Sequence, residues 1–157
     1  GQKNWRGSST MPYEQFAKLF DTAHRAGLQI FVHANGDATI QQVIQAAEAS
    51  GLKAGDDSRT IVIHSQMQHP EDIARYAALG LTPSYFTNHT YFWGDVHRRN
   101  IGEQRAAFIS PMKAAMDAGL KATNHSDFNV TPLDPFFNAN TVEDIAEAER
   151  LAVLDGD

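Results

Sequence analysis

Short apolar segments alternate with amphipathic segments along the chain, and this alternation constrains the fold more than any other feature of the sequence. Apolar positions at helical spacing, several of them followed by glycine, predict helices at residues 12–26, 37–50, 69–80, 103–119 and 141–154. Short apolar runs between them predict strands at residues 28–33, 60–64, 81–86 and 120–126. One helix followed by four strand–helix units predicts an α/β fold with a parallel sheet covered by helices. A doubly wound open sheet and a segment of a (β/α) barrel both fit.

Metal-ligand residue types follow three of the four predicted strands. His33 and His64 each come directly after an apolar run, and Asp127 follows the last strand. Both architectures place their active sites at the carboxyl ends of parallel strands, so we expect these side chains to converge. Imidazole and carboxylate suit a divalent ion of the zinc type, which lowers the pKa of bound water to about 7. For either histidine alone, a hydrogen-bonding loop residue is the alternative.

Two other polar residues near these strand ends have open interpretations. Alternation along a strand turns positions 125 and 127 the same way, so His125 either supports Asp127 or packs in the strand. Asp37 is predicted as the N-cap of the second helix rather than as a site residue.

The segment between residues 86 and 102 is too polar for a core element and too aromatic for a plain linker. We therefore predict a long loop, and long loops in compact domains are usually functional or disordered. Its side chains could form a lid and a substrate wall: His89, Tyr91, Phe92, Trp93, Asp95 and His97. The alternative is a packed structural loop.

Composition excludes several classes of function. Lys and Arg number 13 against 19 Asp and Glu, and this net charge of -6 argues against nonspecific nucleic-acid binding. No apolar run approaches the roughly 20 residues of a membrane span, and the first residues lack signal-peptide features, so a cytoplasmic location is the default expectation. Because cysteine is absent, any metal must take nitrogen and oxygen ligands. Glycine-rich phosphate signatures are also missing, which weighs against a doubly wound domain that binds a small anionic ligand.

Four separated motifs together resemble the metal-dependent amidohydrolase superfamily: VHANGDATI, IVIHSQ, YFTNHTYFWGDVH and RAAFISPMKAAMDAGLKATNHSDFNVTPLDP. They look most like its YtcJ-like branch, amidohydrolase family 3, which includes N-substituted formamide deformylases. That family's fold is a (β/α)8 barrel with a small added β-domain, and the resemblance aligns this chain with barrel strands five to eight. It implies that His33 and His64 are metal ligands, that Asp127 contacts the metal and shuttles the proton, and that His89 contacts substrate.

The implied activity is metal-dependent hydrolysis of a carbon–nitrogen bond other than a peptide bond, in a small amide, imide or formamide. Zinc is the expected metal, Asp127 the catalytic residue, and His89, Trp93 and Asp95 the expected substrate-binding residues. The family's His-x-His motif of strand one does not occur in these 157 residues, and its strand-four lysine has no counterpart.

Residues 1–157 are therefore expected to be the C-terminal half of a catalytic barrel. Four such units leave two open sheet edges, so we expect a homo-oligomer or association with the missing half. The alternative is a non-catalytic half-barrel that needs its missing half for activity.

Overall fold

The computed structural model describes residues 9–127. The chain divides into two compact units, residues 1–124 and residues 125–157. The structure thus describes most of the first unit and residues 125–127 of the second. The helix predicted at residues 141–154 lies outside the described residues, and the assignment of residues 1–157 to one half-barrel stays a prediction.

Helices and strands alternate through the first unit, as the sequence predicts. The strands are β1 Phe31–Ala34, β2 Ile61–His64, β3 Thr82–Tyr85 and β4 Thr123–Asn124. The helices are α1 Tyr13–Arg25, α2 Asp37–Ala49, α3 Pro70–Leu79, α4 Asn88–Ile101, α5 Glu103–Ala106 and α6 Met112–Asp117, with a 3₁₀ turn at Ala54–Asp56.

The four strands form one parallel sheet in the order β1-β2-β3-β4. In register, Ala34 lies beside His64, His64 beside Tyr85, and Tyr85 beside Asn124. The strand ends therefore lie along one edge of the sheet. Neighbours in the sheet are neighbours in sequence, as in a barrel segment, whereas a doubly wound sheet reverses its order at a switch point. The predicted fold class, parallel (β/α) units of a partial barrel, is confirmed.

The main core lies between the sheet and the helices that cover it. Ile40, Val43, Ile44 and Ala47 recur at helical spacing on α2, and each is at most 1% exposed. They pack in one cluster with buried residues of α1, β2 and α3. Burial of a large aliphatic side chain contributes about 1.5–3 kcal/mol, so this cluster fixes the helices against the sheet.

Several local predictions need correction. Residues 88–101 are the helix α4 and not a loop; α4 has no buried residue and contains Gly94, so it lacks the apolar stripe that marks a core helix. Asp37 is the first residue of α2, and Gly36 occupies the N-cap position. The helix predicted at residues 103–119 is interrupted, because α5 ends at Ala106 and α6 begins at Met112, directly after Pro111.

Candidate active site

The rings of His33 and His64 meet at the ends of two neighbouring strands. Their centroids are 4.6 Å apart and their planes cross at 81°. The register pairs His33 with Ile63, so regular pleating would send His33 and His64 to opposite faces of the sheet. His64 has a φ of 72°, and this rotation about its N–Cα bond turns the ring toward His33.

The two histidines differ in burial. The His64 side chain is 4% exposed, whereas His33 is exposed on β1, whose one strand partner within the described range is β2.

Left-handed backbone at a residue other than glycine costs about 1–3 kcal/mol and concentrates at functional sites. Ser65, directly after His64, is also left-handed, with a φ of 45°. The backbone of His64 and Ser65, where the chain turns sharply after β2, is therefore strained at a predicted metal ligand.

Buried hydroxyl groups hold this turn in place. The Ser65 hydroxyl and the Tyr76 hydroxyl on α3 are hydrogen-bonded at 3.1 Å. The Tyr85 hydroxyl on β3 donates to Oε1 of Gln68 at 2.7 Å. Burial raises the pKa of Tyr76 and of Tyr85 well above the ordinary tyrosine value, so both phenols stay protonated at neutral pH.

Backbone hydrogen bonds tie the same turn to two other segments. The Met67 N–H donates to the carbonyl of Asn35, which follows β1, at 3.0 Å. The Ser110 N–H donates to the carbonyl of Gln66 at 2.9 Å. The segment after β2 is therefore hydrogen-bonded both to the segment after β1 and to the segment between α5 and α6.

One face of α4 continues the site away from His64. His89, Trp93 and His97 are four residues apart, so they lie on one face of the helix. The His89 ring is 5.5 Å from the His64 ring and 5.5 Å from the Trp93 ring. Phe86 packs behind them, 4.5 Å from His89 and 6.3 Å from Trp93. We call His89, Trp93 and His97 the α4 face.

A hydrogen bond joins the α4 face to the turn after β2. Nε2 of Gln66 lies 3.0 Å from Nε2 of His97. Burial lowers the pKa of His97 below its ordinary value, which favours the neutral ring. Gln66 and Phe86 are not among the site residues that the sequence predicts. Two signals point to these contacts: Gln66 is two residues after His64, and histidines and a tryptophan recur every fourth residue on α4.

Asp95, the third predicted substrate-binding residue, lies on a different side of α4. Its side chain is 86% exposed and pairs with Arg98 at 3.5 Å. The ring contacts that join His89 to His64 and to Trp93 do not involve it.

In the second unit, the side chains of His125 and Asp127 are in contact. His125 Nδ1 is 2.9 Å from Asp127 Oδ1, and Asp127 has a left-handed φ of 46°. β4 ends at Asn124, so His125 does not pack in a strand. Of the two interpretations left open by the sequence, the contact with Asp127 is therefore the one observed.

The sequence and the fold of this chain are similar to those of known hydrolases. The model of the amidohydrolase family, Amidohydro_3, matches residues 2–142. The putative amidohydrolase YtcJ of Bacillus subtilis is 31% identical over 126 residues, which are 78% of this chain and 23% of that protein. The chain thus spans less than a quarter of that relative's length. An uncharacterized metal-dependent hydrolase from Pyrococcus furiosus has a similar fold, with a TM-score of 0.70 and 20% identity over 83% of this chain and 26% of that chain.

A short local likeness also exists. Twenty-five residues, 16% of the chain, are 96% identical to the molybdenum cofactor guanylyltransferase of Nitrobacter hamburgensis and cover 12% of that protein. So short a match assigns no family.

Within residues 9–127, no helix is long and apolar enough to cross a membrane.

Proposed function

The chain belongs to the amidohydrolase family, and from this premise we propose that it supplies part of the active site of a metal-dependent hydrolase. The proposed substrate is a small amide, imide or formamide, cleaved at a carbon–nitrogen bond other than a peptide bond. The observation that carries the proposal is the meeting of His33 and His64 at adjacent strand ends, with ring centroids 4.6 Å apart. The strained backbone of His64 is what makes that meeting possible.

The proposed metal ligands are His33, His64 and Asp127. The two ring centroids are 4.6 Å apart, and we propose that one ion binds a nitrogen of each ring through bonds of about 2.0–2.1 Å. A donor set of nitrogen and oxygen without sulfur suits a divalent ion such as zinc. When bound, such an ion activates water for attack on the scissile carbonyl.

Asp127 is the proposed proton carrier. Its carboxylate takes a proton from the attacking water and returns it to the departing nitrogen as the carbon–nitrogen bond breaks. The products are a carboxylic acid and an amine, so the water is fully accounted for. His125, 2.9 Å from the carboxylate, restricts the orientation of Asp127.

The α4 face is the proposed substrate wall. Trp93 offers a partly buried aromatic surface, and His89 lies between this surface and His64. An apolar or aromatic substituent of the substrate would stack on Trp93 while its carbonyl approaches the two strand-end histidines. Asp95 remains a predicted substrate residue at the outer surface of the helix.

We also propose association through the open edge of the sheet, with another copy or with the rest of a barrel. Phe31 on β1 is 59% exposed, and within the described residues β1 pairs with β2 alone. Unpaired backbone beside an exposed aromatic residue favours addition of a further strand.

A cytoplasmic location is retained as a prediction.

Metal content of the purified 157-residue chain tests the proposal. We expect about one zinc-type ion per chain, and a loss of that ion in His33→Ala and His64→Ala. His24→Ala is the matched control, because His24 lies on α1 outside the site. Any longer polypeptide containing this chain is then assayed on small amides. Background turnover with metal bound would favour the non-catalytic alternative. Metal content unchanged by both site variants would contradict the ligand assignment.

A further inference from the structure

We propose that His97 is a further substrate-binding residue, which donates a hydrogen bond from Nδ1 to an acceptor atom of the substrate while Gln66 fixes its ring. This inference rests on the proposed function, because it assumes that a substrate lies along the α4 face. It adds His97, the polar residue at the far end of that face, to the substrate-binding residues that the sequence predicts.

The α4 face forms a continuous surface from His64 to His97. The His89 ring lies 5.5 Å from the His64 ring, and the His97 ring lies 6.3 Å from the His89 ring. Trp93 is one helical turn from each of the two α4 histidines, so it lies between them along the helix. A molecule whose carbonyl is at His64 and whose apolar group covers Trp93 therefore extends toward His97.

The contact with Gln66 determines which nitrogen of His97 carries the proton. The amide nitrogen of glutamine only donates hydrogen bonds, so at 3.0 Å it donates to Nε2 of His97. The single proton of a neutral ring is then on Nδ1. Burial lowers the pKa of His97, which keeps the ring neutral at pH 7.

Gln66 is a suitable holder for this ring. It is 4% exposed, and its carbonyl accepts a hydrogen bond from the Ser110 N–H at 2.9 Å. Within residues 9–127, the structure shows no other hydrogen bond to His97. The Nδ1–H of His97 is therefore available to a substrate, on a ring whose orientation the protein already fixes.

This arrangement defines a substrate class. A neutral ring brings no positive charge that would attract an anion, so we take the acceptor to be an uncharged ether, hydroxyl or carbonyl oxygen. The aromatic surface of Trp93 recognises the group that carries this acceptor. We therefore expect preference for an amide whose aromatic substituent has an oxygen acceptor at the end remote from the scissile bond.

Two substitutions at His97 separate substrate contact from a merely structural role. In His97→Asn, the side-chain amide reaches the position of Nδ1 but falls short of Gln66. In His97→Gln, the longer amide reaches toward Gln66 and leaves the Nδ1 position empty. The probes are N-benzylformamide and N-(4-methoxybenzyl)formamide, with binding followed by NMR titration and turnover assayed in parallel. Arg99→Gln, on a different side of α4, is the control.

We expect the wild-type protein to bind the methoxy compound more tightly, and His97→Gln to lose that preference, weakening its binding on the order of 5- to 10-fold. His97→Asn should keep part of the preference, and Arg99→Gln all of it. The inference is overturned if His97→Gln retains the preference, if only His97→Asn loses it, or if the wild type binds neither compound. A retained binding preference, together with a metal content that His33→Ala and His64→Ala leave unchanged, would contradict the proposed function and leave this inference standing.

Discussion

His33 and His64 meet at a ring separation of 4.6 Å although the sheet register pairs His33 with Ile63. The left-handed backbone of His64, with a φ of 72°, resolves this apparent conflict. An ordinary strand residue at position 64 would continue the alternation and point its side chain to the other face. The juxtaposition of the two histidines thus depends on a strained residue at the end of β2.

The first prediction tests this strain. Asparagine tolerates the left-handed region better than most residues, whereas β-branched valine is especially disfavoured there. We expect His64→Val to lower the free energy of unfolding by about 1–2 kcal/mol more than His64→Asn does. Urea denaturation of both variants gives the comparison. Equal stabilities would mean that the backbone at position 64 relaxes at little cost.

A second prediction concerns the end of α3. Gly80 has a φ of 68°, and a Cβ atom there would lie 2.9 Å from the Cα atom of Ala54. Gly27 has the same φ with no atom within 4 Å of such a Cβ, which makes it a matched control. Both Gly→Ala variants should lose about 1–2 kcal/mol of stability from the left-handed backbone. Gly80→Ala should lose a further amount through the clash, and the two melting temperatures measure the difference. Equal melting temperatures of the two variants would show that the 3₁₀ turn at Ala54–Asp56 shifts at little cost to accommodate the Cβ atom.

Loss of the Tyr76 hydroxyl provides a third prediction. Tyr76 is fully buried, and its hydroxyl bonds to the Ser65 hydroxyl at 3.1 Å, directly after His64. We expect Tyr76→Phe to destabilise the chain by about 1–2 kcal/mol, because the Ser65 hydroxyl loses a buried partner.

The double variant Tyr76→Phe, Ser65→Ala is the check on that explanation. Ser65 also donates to the Val62 carbonyl at 3.3 Å, so Ser65→Ala alone has a cost of its own. The two effects should be non-additive, with a smaller total loss than the sum of the single losses in urea denaturation. Simple additivity would mean that the two hydroxyls do not act as a pair.

The sequence predicted the α/β class and the parallel strands because those depend on apolar patterns that burial enforces. Val62 and Ile44 occupy the core positions that their spacing indicates. The helix α4 escaped prediction because it has no buried residue, so burial leaves no apolar stripe in its sequence. The Gln66–His97 bond joins residues 31 positions apart, and such a contact depends on tertiary structure that local patterns do not encode. The roles of His33, His64 and Asp127 in metal binding stay predictions.

The pH dependence of stability gives the last prediction. Burial places the pKa of His97 in the folded chain below the value of about 6.5 that an exposed histidine has in the unfolded chain. Near that pH the unfolded chain therefore binds more protons at this position than the folded chain does. Stability should fall as the pH drops from about 7.5 to 5.5. His97→Gln removes the titrating ring and should flatten this part of the profile relative to wild type.

The measurement is the melting temperature of wild type and His97→Gln across that pH range, with His24→Gln as the matched control. The nearby His89 ring, 6.3 Å from His97, is present in all three proteins, so the comparison rests on the difference between profiles. The His24→Gln profile should keep the wild-type slope. A steeper acid loss in His97→Gln than in wild type would reverse the sign and show that His97 is stabilised in its charged form. That result would also contradict the proposal that His97 is neutral and accepts a hydrogen bond from Gln66 at Nε2.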